Sequence, residues 1–572
     1  MLRWLKSKAK KTENNVNIGN SENNKDNKNT SYSKKNKSSK KTNNINDIYV
    51  NTSTNIYTNI NLDNDMPITQ KLQTNLKTIE EALSYSPDLV IRMLKYTYSG
   101  FEAAVIYIDG LAESKVVQDN ILKPLIKEFC EDKFKEKGNT NNISNKNIIT
   151  SRKSISSIEA RIRNSVVTVS SLKEANTLNE CISGILAGNT VLLIQNSNKA
   201  LIMKTPGWRT RTPDEPITEP SVSGPRDGFV ETLQENITMI RRRIKDRNLS
   251  LIKLKLGRRT RNDIAVVYIK GIANKDTVEE VLRRIGQIDV DQILAAGVLE
   301  QFIEDNFLSP FPQMQYTERP DRVVAAILEG RIAIIIDNTP FALVVPASLS
   351  MFMQSPEDYY ERWIYSSLIR ILRYLAIAVS LFLPAVYVSL ISFHQGLIPT
   401  KLAIFIASAR EGVPLPSLIE AILMEVTLEI LREAGIRLPK SIGQAVGIVG
   451  GLVIGEAAVR AGIVSPVSVV VVSFTAIASF SVAQYSLGIP IRMLRFTMML
   501  AAGMLGLYGV MLSFIMITVH LSRLKSFGVS YMSPFVPYRP GDWKDFILRL
   551  PVMMMKKRPE MLKVEDKERQ KD

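Results

Sequence analysis

AAVIYIDGLA (Ala103–Ala112) recurs later in the chain as IAVVYIKGIA (Ile264–Ala273), with identical residues at six of the ten positions. A second match follows, GILAGNTVLLIQNSNKALIM (Gly184–Met203) against AILEGRIAIIIDNTPFALVV (Ala326–Val345). Runs rich in β-branched residues are typical of strands, and DTVEEVLRRI (Asp276–Ile285) has the periodicity of a helix. The chain therefore contains one α/β unit that is used twice.

The two copies differ in length, because the first contains about 19 additional residues between its matched blocks. The polar stretch DKFKEKGNTNNISNKN (Asp132–Asn147) fits a surface loop of that size. Between the copies, the segment from Thr205 to Gly228 is dense in Pro and Gly, as linkers are. We predict the first α/β subdomain over residues 66–205, a Pro/Gly-rich linker over 206–228 and the second α/β subdomain over 229–365.

Apolar runs of membrane-spanning length follow the repeats. Each has about the 20 residues that a transmembrane helix needs, and three of the four carry no charge. The runs are Tyr374–Phe393, Ser441–Val464, Pro466–Gly488 and Phe496–Val519. Arg and Lys flank the first and last runs, so the positive-inside rule places both ends in the cytoplasm and requires an even number of crossings. The predicted fold is a soluble α/β half of two repeated subdomains, then an all-α polytopic membrane domain (366–524) of about four transmembrane helices, then a cytoplasmic tail (525–572).

The segment 397–438 does not fit a simple span. Its first apolar stretch is too short, and PSLIEAILMEVTLEILREAG is amphipathic, so we expect an interfacial or re-entrant pair of helices. At 100° per residue, Glu425 and Glu429 fall on one polar stripe, whereas Glu420 lies on another side. Two interpretations stay open: a helix on the membrane surface with a wet face, or a contribution of Glu420, Glu425 and Glu429 to an ion path.

The run Ser441–Val464 carries a glycine stripe. Glycines at a spacing of four let a second helix approach closely, and here they are Gly443, Gly447, Gly451 and Gly455. Glu456 and Arg460 project from roughly the opposite side and can pair with each other. Charges at bilayer depth are costly unless they face water or a neighbouring subunit, so we take Glu456 and Arg460, with Gln444, as candidate pore residues. A pair near the helix end that reaches the interface is the alternative.

The net charge of +17 comes from two segments. Met1–Val50 has 12 basic and 4 acidic residues, and Ile240–Asn262 has 10 and 1, so the rest of the chain is neutral. Residues 1–65 have too few apolar side chains to fold, so we predict a disordered basic arm that is either solvated or attracted to anionic lipid. The run Ile240–Asn262, on the joint leading into the second copy, has no aromatic residue for base stacking, and we expect no nucleic-acid partner.

Catalytic and metal-binding patterns are absent from the sequence. Two Cys and two His are too few for a zinc site built from these residues, and no phosphate-binding glycine loop or nucleophile elbow is found. We therefore expect neither a cofactor, nor a metal, nor an enzyme. A membrane-anchored signalling enzyme is disfavoured on this ground, and a secondary transporter is disfavoured because its spans would usually form inverted repeats.

Eight motifs in order along the chain resemble the A subunit of GerA-type spore germinant receptors. They are EPSVSGPRDGFVETLQENITMIRRRIKDRNL, PFPQMQYTERPD, LEGRIAIIIDNTPFALVVPA, QSPEDYYERW, FHQGLIPT, REGVPLP, EILREAGIRLP and LKSFGVSY. The resemblance covers roughly Leu72 to the end of the chain. It leaves the basic arm out.

This resemblance implies a nutrient receptor subunit in the inner membrane of bacterial endospores, with both termini on the core side. It implies a transporter-like B subunit and a lipoprotein C subunit as partners, and a homo-oligomer that lines a nutrient-gated ion channel. A paralogue, the stage V sporulation AF-type protein, remains the alternative; it resembles the A subunit and amplifies germination together with the dipicolinate channel.

Overall fold

The computed structural model describes residues 66–96, 101–127, 171–207, 218–438, 450–451 and 453–570, with the single residues 162, 167, 169 and 216. All of them belong to one compact unit, Asp65–Asp572. The predicted basic arm (1–65), the predicted loop Asp132–Asn147 and the residues Gly443, Gln444 and Gly447 lie outside the described residues.

The first α/β subdomain contains a five-stranded antiparallel sheet with the strand order β1-β2-β4-β5-β3. Strands β4 and β5 are buried along their whole length, which explains why their sequences are apolar without interruption. Helices on both faces close two layers of core. The elements are α1 (Leu72–Ala82), β1 (Leu89–Tyr96), β2 (Phe101–Ile108), α2 (Ser114–Val116) continued by a π-helical turn (Val117–Leu122), β3 (Leu172–Ala175), α3 (Leu178–Leu186), β4 (Thr190–Ile194) and β5 (Ala200–Met203).

The second α/β subdomain repeats this topology, with the order β6-β7-β9-β10-β8. The prediction of one α/β unit used twice is therefore confirmed. The elements are α4 (Leu233–Arg243), β6 (Leu249–Leu256), β7 (Asn262–Ile269), α5 (Lys275–Gly286), α6 (Ala296–Ile303), β8 (Gln315–Thr317), α7 (Pro320–Glu329), β9 (Ile332–Ile336) and β10 (Ala342–Val345).

Each copy begins earlier than the matched strands, with a helix of its own. Asn75 in α1 bonds both the N–H and the carbonyl of Thr69, and Asn236 in α4 does the same to Val230. The basic run Ile240–Asn262 is consequently the end of α4, the strand β6 and the following turn. The run therefore lies within the second copy, as the predicted bounds 229–365 have it, and forms the first elements of that copy rather than a joint that leads into it.

Helix α4 packs on two turns of the first subdomain. Arg241 donates two hydrogen bonds to the buried carboxylate of Asp88, at 2.5 and 2.9 Å, and Gln234 Nε2 donates to the Asp109 carbonyl at 2.8 Å. Gly110 lies directly under α4, with φ at +86°, and an added Cβ would be 2.5 Å from Thr238 Oγ1. The two copies thus meet through an ion pair and a glycine turn.

Gly110→Ala tests this contact. Alanine at a positive φ costs about 1–2 kcal/mol, and the clash with Thr238 adds about 1–3 kcal/mol to the loss of unfolding free energy. Gly528→Ala is the matched control, since Gly528 has φ at +80° and no atom within 4 Å of its added Cβ. We expect the detergent-solubilised full chain to melt at a clearly lower temperature with Gly110→Ala than with Gly528→Ala. Equal melting temperatures would show that α4 does not close on Gly110.

A helical bundle follows the second subdomain through the short helices α8 (Leu349–Met353) and α9 (Glu357–Tyr360). The residues 453–460 are also helical. The named helices of the bundle are α10 (Trp363–Ser392), a 3-10 turn (Gln395–Leu397), α11 (Thr400–Arg410), α12 (Ser417–Arg437), α13 (Pro466–Phe480), α14 (Tyr485–Leu505) and α15 (Leu507–Arg523).

The bundle helices run alternately away from the second subdomain and back to it. At the far end, Ser392 Oγ of α10 lies 2.6 Å from Ser417 Oγ of α12, and His394 contacts Gly506 between α14 and α15. At the near end, Gln484 Nε2 donates to the Tyr316 carbonyl and His520 Nε2 lies 2.9 Å from Ser309 Oγ. Helices α10, α12, α14 and α15 therefore lie side by side, with their ends at the same two levels.

Two described helices, α10 and α14, are long and apolar enough to cross a membrane. The predicted first span lies within α10, apart from its last residue. The predicted spans Pro466–Gly488 and Phe496–Val519 are wrong as continuous helices, because the chain turns at 481–484 and again at Gly506, whose φ is +63°. Four transmembrane helices are not confirmed. The segment 397–438 forms α11 and α12.

The C-terminal tail packs on the second subdomain. It contains the hairpin β11 (Lys525–Ser526) and β12 (Val529–Ser530) and three 3-10 turns, Pro540–Lys544, Val552–Met554 and Glu560–Leu562. Ser526 Oγ donates to the Gln313 carbonyl at 2.7 Å, and Leu349 N donates to the Tyr531 carbonyl at 2.8 Å. The tail and the second subdomain thus share one core.

Candidate functional site: ion pairs inside the helical bundle

A buried ion pair joins α12 to α14. Glu425 Oε2 accepts a hydrogen bond from Arg495 Nη1 at 2.5 Å, and each side chain is 3% exposed. Arg495 Nη2 also donates to Ser380 Oγ of α10 at 3.0 Å. Within the described residues, Glu425 Oε1 and Arg495 Nε have no hydrogen-bond partner. The pair is therefore buried and only partly satisfied, which is costly in an apolar bundle.

A second group of charges continues the pair along α12. Glu429 accepts from Arg432 at 3.1 Å on the same helix and lies 3.2 Å from Arg492 Nε on α14. Arg432 Nη2 donates to Ser479 Oγ of α13 at 2.9 Å. The polar stripe on which Glu425 and Glu429 lie is thus packed against arginines of α14, and at Glu425 it does not face water.

Glu420 forms a separate buried cluster near the far end of the bundle. Arg410 Nη1 of α11 donates to Glu420 Oε2 at 2.7 Å and to the Tyr387 hydroxyl at 3.2 Å. The other oxygen of Glu420 accepts from the backbone N–H of Ser465, at 2.5 Å, where α13 begins. This carboxylate therefore ties α11, α12 and the start of α13 together.

The sequence did not reveal the partners of these glutamates. Arg495 and Arg492 lie just before the apolar run that begins at Phe496, and Arg410 is the last residue of α11, so none of the three lies inside a predicted span. The signal that could have found Arg495 is two arginines three residues apart, on one helix face, next to an apolar run.

Glu456 and Arg460 pair with each other at 2.5 Å and lie apart from both clusters. Their side chains are 55% and 78% exposed in the single chain. Gly455 is buried, with an added Cβ 3.7 Å from Val469, whereas a Cβ on Gly451 would have no described atom within 4 Å. The role of the glycine stripe in helix packing stays a prediction.

A further ionic cluster stands where the second subdomain meets α10. The carboxylate of Asp358 accepts hydrogen bonds from Arg370 Nε at 2.9 Å and Arg373 Nη1 at 3.1 Å. Arg370 Nη1 also reaches Asp545 Oδ1 of the tail at 2.8 Å. Burial alone would raise the pKa of Asp358, but the two guanidinium groups outweigh it and hold that pKa below its ordinary value. We call Asp358, Arg370, Arg373 and Asp545 the junction cluster.

The bundle and the α/β repeats together match a known protein family. A family model described as Bacillus/Clostridium GerA spore germination protein matches residues 77–561. The chain belongs to the GerA family. The match covers the first subdomain from Lys77 onward, the second subdomain, all named bundle helices and most of the tail, so the resemblance found in the motifs is confirmed.

Relatives of this GerA-family chain support the same assignment. It is 43% identical over 504 residues to spore germination protein KA of Bacillus subtilis, covering 88% of this chain and 89% of the relative. It is 41% identical over 495 residues to YfkQ of Bacillus subtilis, described as an uncharacterized membrane protein, covering 86% of this chain and 92% of the relative. Membership of the GerA family supports a role in spore germination. The likeness to YfkQ, with two helices of spanning length, indicates a membrane protein.

A solved structure also matches this GerA-family chain. It is the N-terminal domain of the A subunit of the Bacillus megaterium spore germinant receptor GerK3, at 32% identity and a TM-score of 0.37, covering 50% of this chain and 98% of that one.

Proposed function

We propose that this chain is the A subunit of a nutrient germinant receptor in the spore inner membrane, and that several copies form an ion channel that opens when the nutrient is sensed. The observation that carries the channel is the exposed ion pair of Glu456 and Arg460 on a helix of an apolar bundle. Exposed charges are unfavourable against lipid, whereas they are stable beside water or a neighbouring subunit.

The buried ion pairs give this proposal a gating element. Ionisable residues inside membrane domains are rare and mark ion paths or moving helices. Glu425 joins α12 to α14, and Glu420 joins α12 to α11. A shift of α12 against α14 would therefore have to break the Glu425–Arg495 pair. As in the resemblance, the B subunit and the lipoprotein C subunit are the expected partners.

Neutralising the exposed pair tests the channel. Glu456→Gln with Arg460→Gln should slow nutrient-triggered cation release from spores by about tenfold or more, if the pair stabilises an ion or a subunit contact by about 1.4 kcal/mol. Glu433→Gln with Arg437→Gln is the matched control, because that pair has the same spacing and is also exposed, but lies at the C-terminal end of α12, opposite the far end of the bundle where Ser417 lies. An unchanged rate in the Glu456 and Arg460 variant, with normal protein levels, would contradict a role in conduction.

Deletion of the gene separates a receptor subunit from the stage V AF-type paralogue. Spores without a receptor subunit should lose germination to particular nutrients only, whereas loss of an amplifier should slow the response to every nutrient. The measurement is the fall in optical density of spore suspensions against a panel of amino acids, sugars and nucleosides. Uniform slowing would overturn the receptor assignment in favour of the paralogue.

A further inference from the structure

The contact between the two α/β copies joins a helix of one copy to a turn of the other. Each copy has both a helix and a turn of this kind, so one helix and one turn in the chain take no part in the contact. Within the chain, helix α4 of the second copy covers the turn at Asp109 and Gly110 of the first copy. The first copy has the equivalent helix, α1, and the second copy has the equivalent turn, at Lys270 and Gly271. Among the residues that the structure describes, neither α1 nor the Lys270–Gly271 turn makes the equivalent contact.

The helix side of the unused contact is a groove on the first subdomain. Gln73 takes the place in α1 that Gln234 takes in α4, and Lys77 takes that of Thr238, since both helices begin at an equivalent leucine and share the Asn75 and Asn236 bonds. In the second copy this place holds the Asp109–Gly110 turn. In the first copy it is an open groove of about 630 Å³, lined by Gln73, Lys77, Glu80 and Met93 among others.

The turn side of the unused contact is equally open. Gly271 has φ at +83°, close to the +86° of Gly110, and in both turns the two residues after the glycine donate to the carbonyl of the isoleucine that ends the strand. An added Cβ on Gly110 would strike α4, whereas one on Gly271 would meet no described atom within 4 Å. Lys270 beside it is exposed, where Asp109 stands in the first copy.

Charges at the two open surfaces are complementary, in the opposite sense to the contact within the chain. In the contact within the chain, Arg241 of helix α4 pairs with Asp88 of the first copy. On α1 the place of Arg241 is taken by Glu80, and the turn region of the second copy carries Lys245, Arg247 and Lys270 beside a single acidic residue, Asp246. Lys77 of the groove pairs with Glu81 on its own helix, at 3.8 Å, so Glu80 is the charge that would attract the basic turn.

We propose that the α1 groove of one chain receives the Lys270–Gly271 turn of a second copy of the same chain, which repeats between protomers the contact that joins the two copies within each. The surfaces differ on the two sides, so the contact is head-to-tail and closes into a ring if the rotation allows it. This interface rests on the proposed function in one respect only, that the receptor subunit is a homo-oligomer.

Cysteine cross-linking of the full chain in membranes tests the interface. Gln73→Cys with Lys270→Cys, in a chain carrying Cys130→Ser, should give a ladder of covalent oligomers with a short bismaleimide. Cys181 stays silent, because burial raises the pKa of its thiol to about 12. Gln73→Cys with Lys255→Cys is the matched control, since Lys255 is an exposed lysine near the other end of β6 and should give no ladder.

Two further arms fix the geometry. Co-production of a chain with Gln73→Cys alone and a chain with Lys270→Cys alone should give covalent dimers and nothing larger. Glu80→Lys should lower the yield of the ladder by about tenfold through like-charge repulsion, and Arg247→Glu in the same chain should restore it.

The outcomes separate the interface from the oligomer. If an amine-reactive reagent captures oligomers but the Gln73 and Lys270 pair gives no ladder, this interface is wrong while the oligomer stands. If neither reagent captures oligomers, both the interface and the homo-oligomer of the proposed function are overturned. A ladder from the control pair of equal yield would also overturn the interface, because contact would then be unspecific.

Discussion

Arg495→Met should unfold the helical bundle more than any other single change in it, because it leaves the Glu425 carboxylate charged and buried. Removing one partner of a buried ion pair costs about 3–5 kcal/mol of unfolding free energy. Arg437→Met is the matched control, since Arg437 is 79% exposed and pairs with Glu433 on the surface of the same bundle. We expect the control to cost less than about 1 kcal/mol. The measurement is the temperature at which the detergent-solubilised full chain loses its monodisperse peak.

A double variant separates the ion pair from simple loss of packing. Glu425→Gln with Arg495→Met removes both charges, so much of the lost stability should return. If Arg495→Met melts at the same temperature as the Arg437→Met control, the pair does not hold α12 to α14. If the double variant is stable but its spores no longer respond to nutrients, the charges serve signalling rather than folding.

Asp358→Asn should have the second largest effect, because it leaves the buried Arg373 without a carboxylate partner and Arg370 with Asp545 alone. We expect a loss of about 3–5 kcal/mol in unfolding free energy, as for other broken buried pairs. Asp289→Asn is the matched control, since Asp289 also pairs with an arginine, Arg258, but both side chains are more than 60% exposed. The same thermal assay applies. Equal effects of the two variants would show that the junction cluster is not needed for folding.

The junction cluster also gives stability a pH dependence. The folded pKa of Asp358 lies below its unfolded value, because Arg373 and Arg370 outweigh the effect of burial. The contribution of Asp358 is therefore complete above its unfolded pKa, near 4, and is lost as the pH falls through its lower folded value. As the pH falls below about 4, the melting temperature of the wild type should decrease more steeply than that of Asp358→Asn.

The repeated α/β half could be predicted from the sequence because strand pairing leaves a local signature. Strands such as Ile332–Ile336 are buried on both faces, so an uninterrupted apolar run marks them, and the glycines at 110 and 271 mark the turn after the second strand of each copy. The predicted bounds 66–205 and 229–365 include α1 and α4, but the sequence does not mark these two helices as equivalent. They are amphipathic and share only four of eleven residues, which pair Leu72 with Leu233, Gln73 with Gln234, Asn75 with Asn236 and Ile79 with Ile240.

The bundle was harder to predict, because a hydropathy profile averages the values of single residues. It contains no information on where the chain turns or on which charged residues pair. Gly506 interrupts the apolar run Phe496–Val519 with little effect on its mean hydropathy, so the run predicts one helix where the structure has the end of α14 and most of α15. Arg495 lowers the hydropathy of α14 although its charge is matched by Glu425 on another helix. The partner of a buried charge is a property of the packed bundle, and no local window of sequence contains it.

The tail and α10 are both anchored to the second α/β subdomain, one through Ser526 and Tyr531 and the other through the junction cluster. The first and the last helix of the bundle, α10 and α15, are consequently both attached to the second α/β subdomain. A tilt of that subdomain would pull on α10 and α15 at once, whereas the described hydrogen bonds from α12 to other segments all go to other parts of the bundle. A movement of the soluble half would therefore shift α10 and α15 together relative to α12.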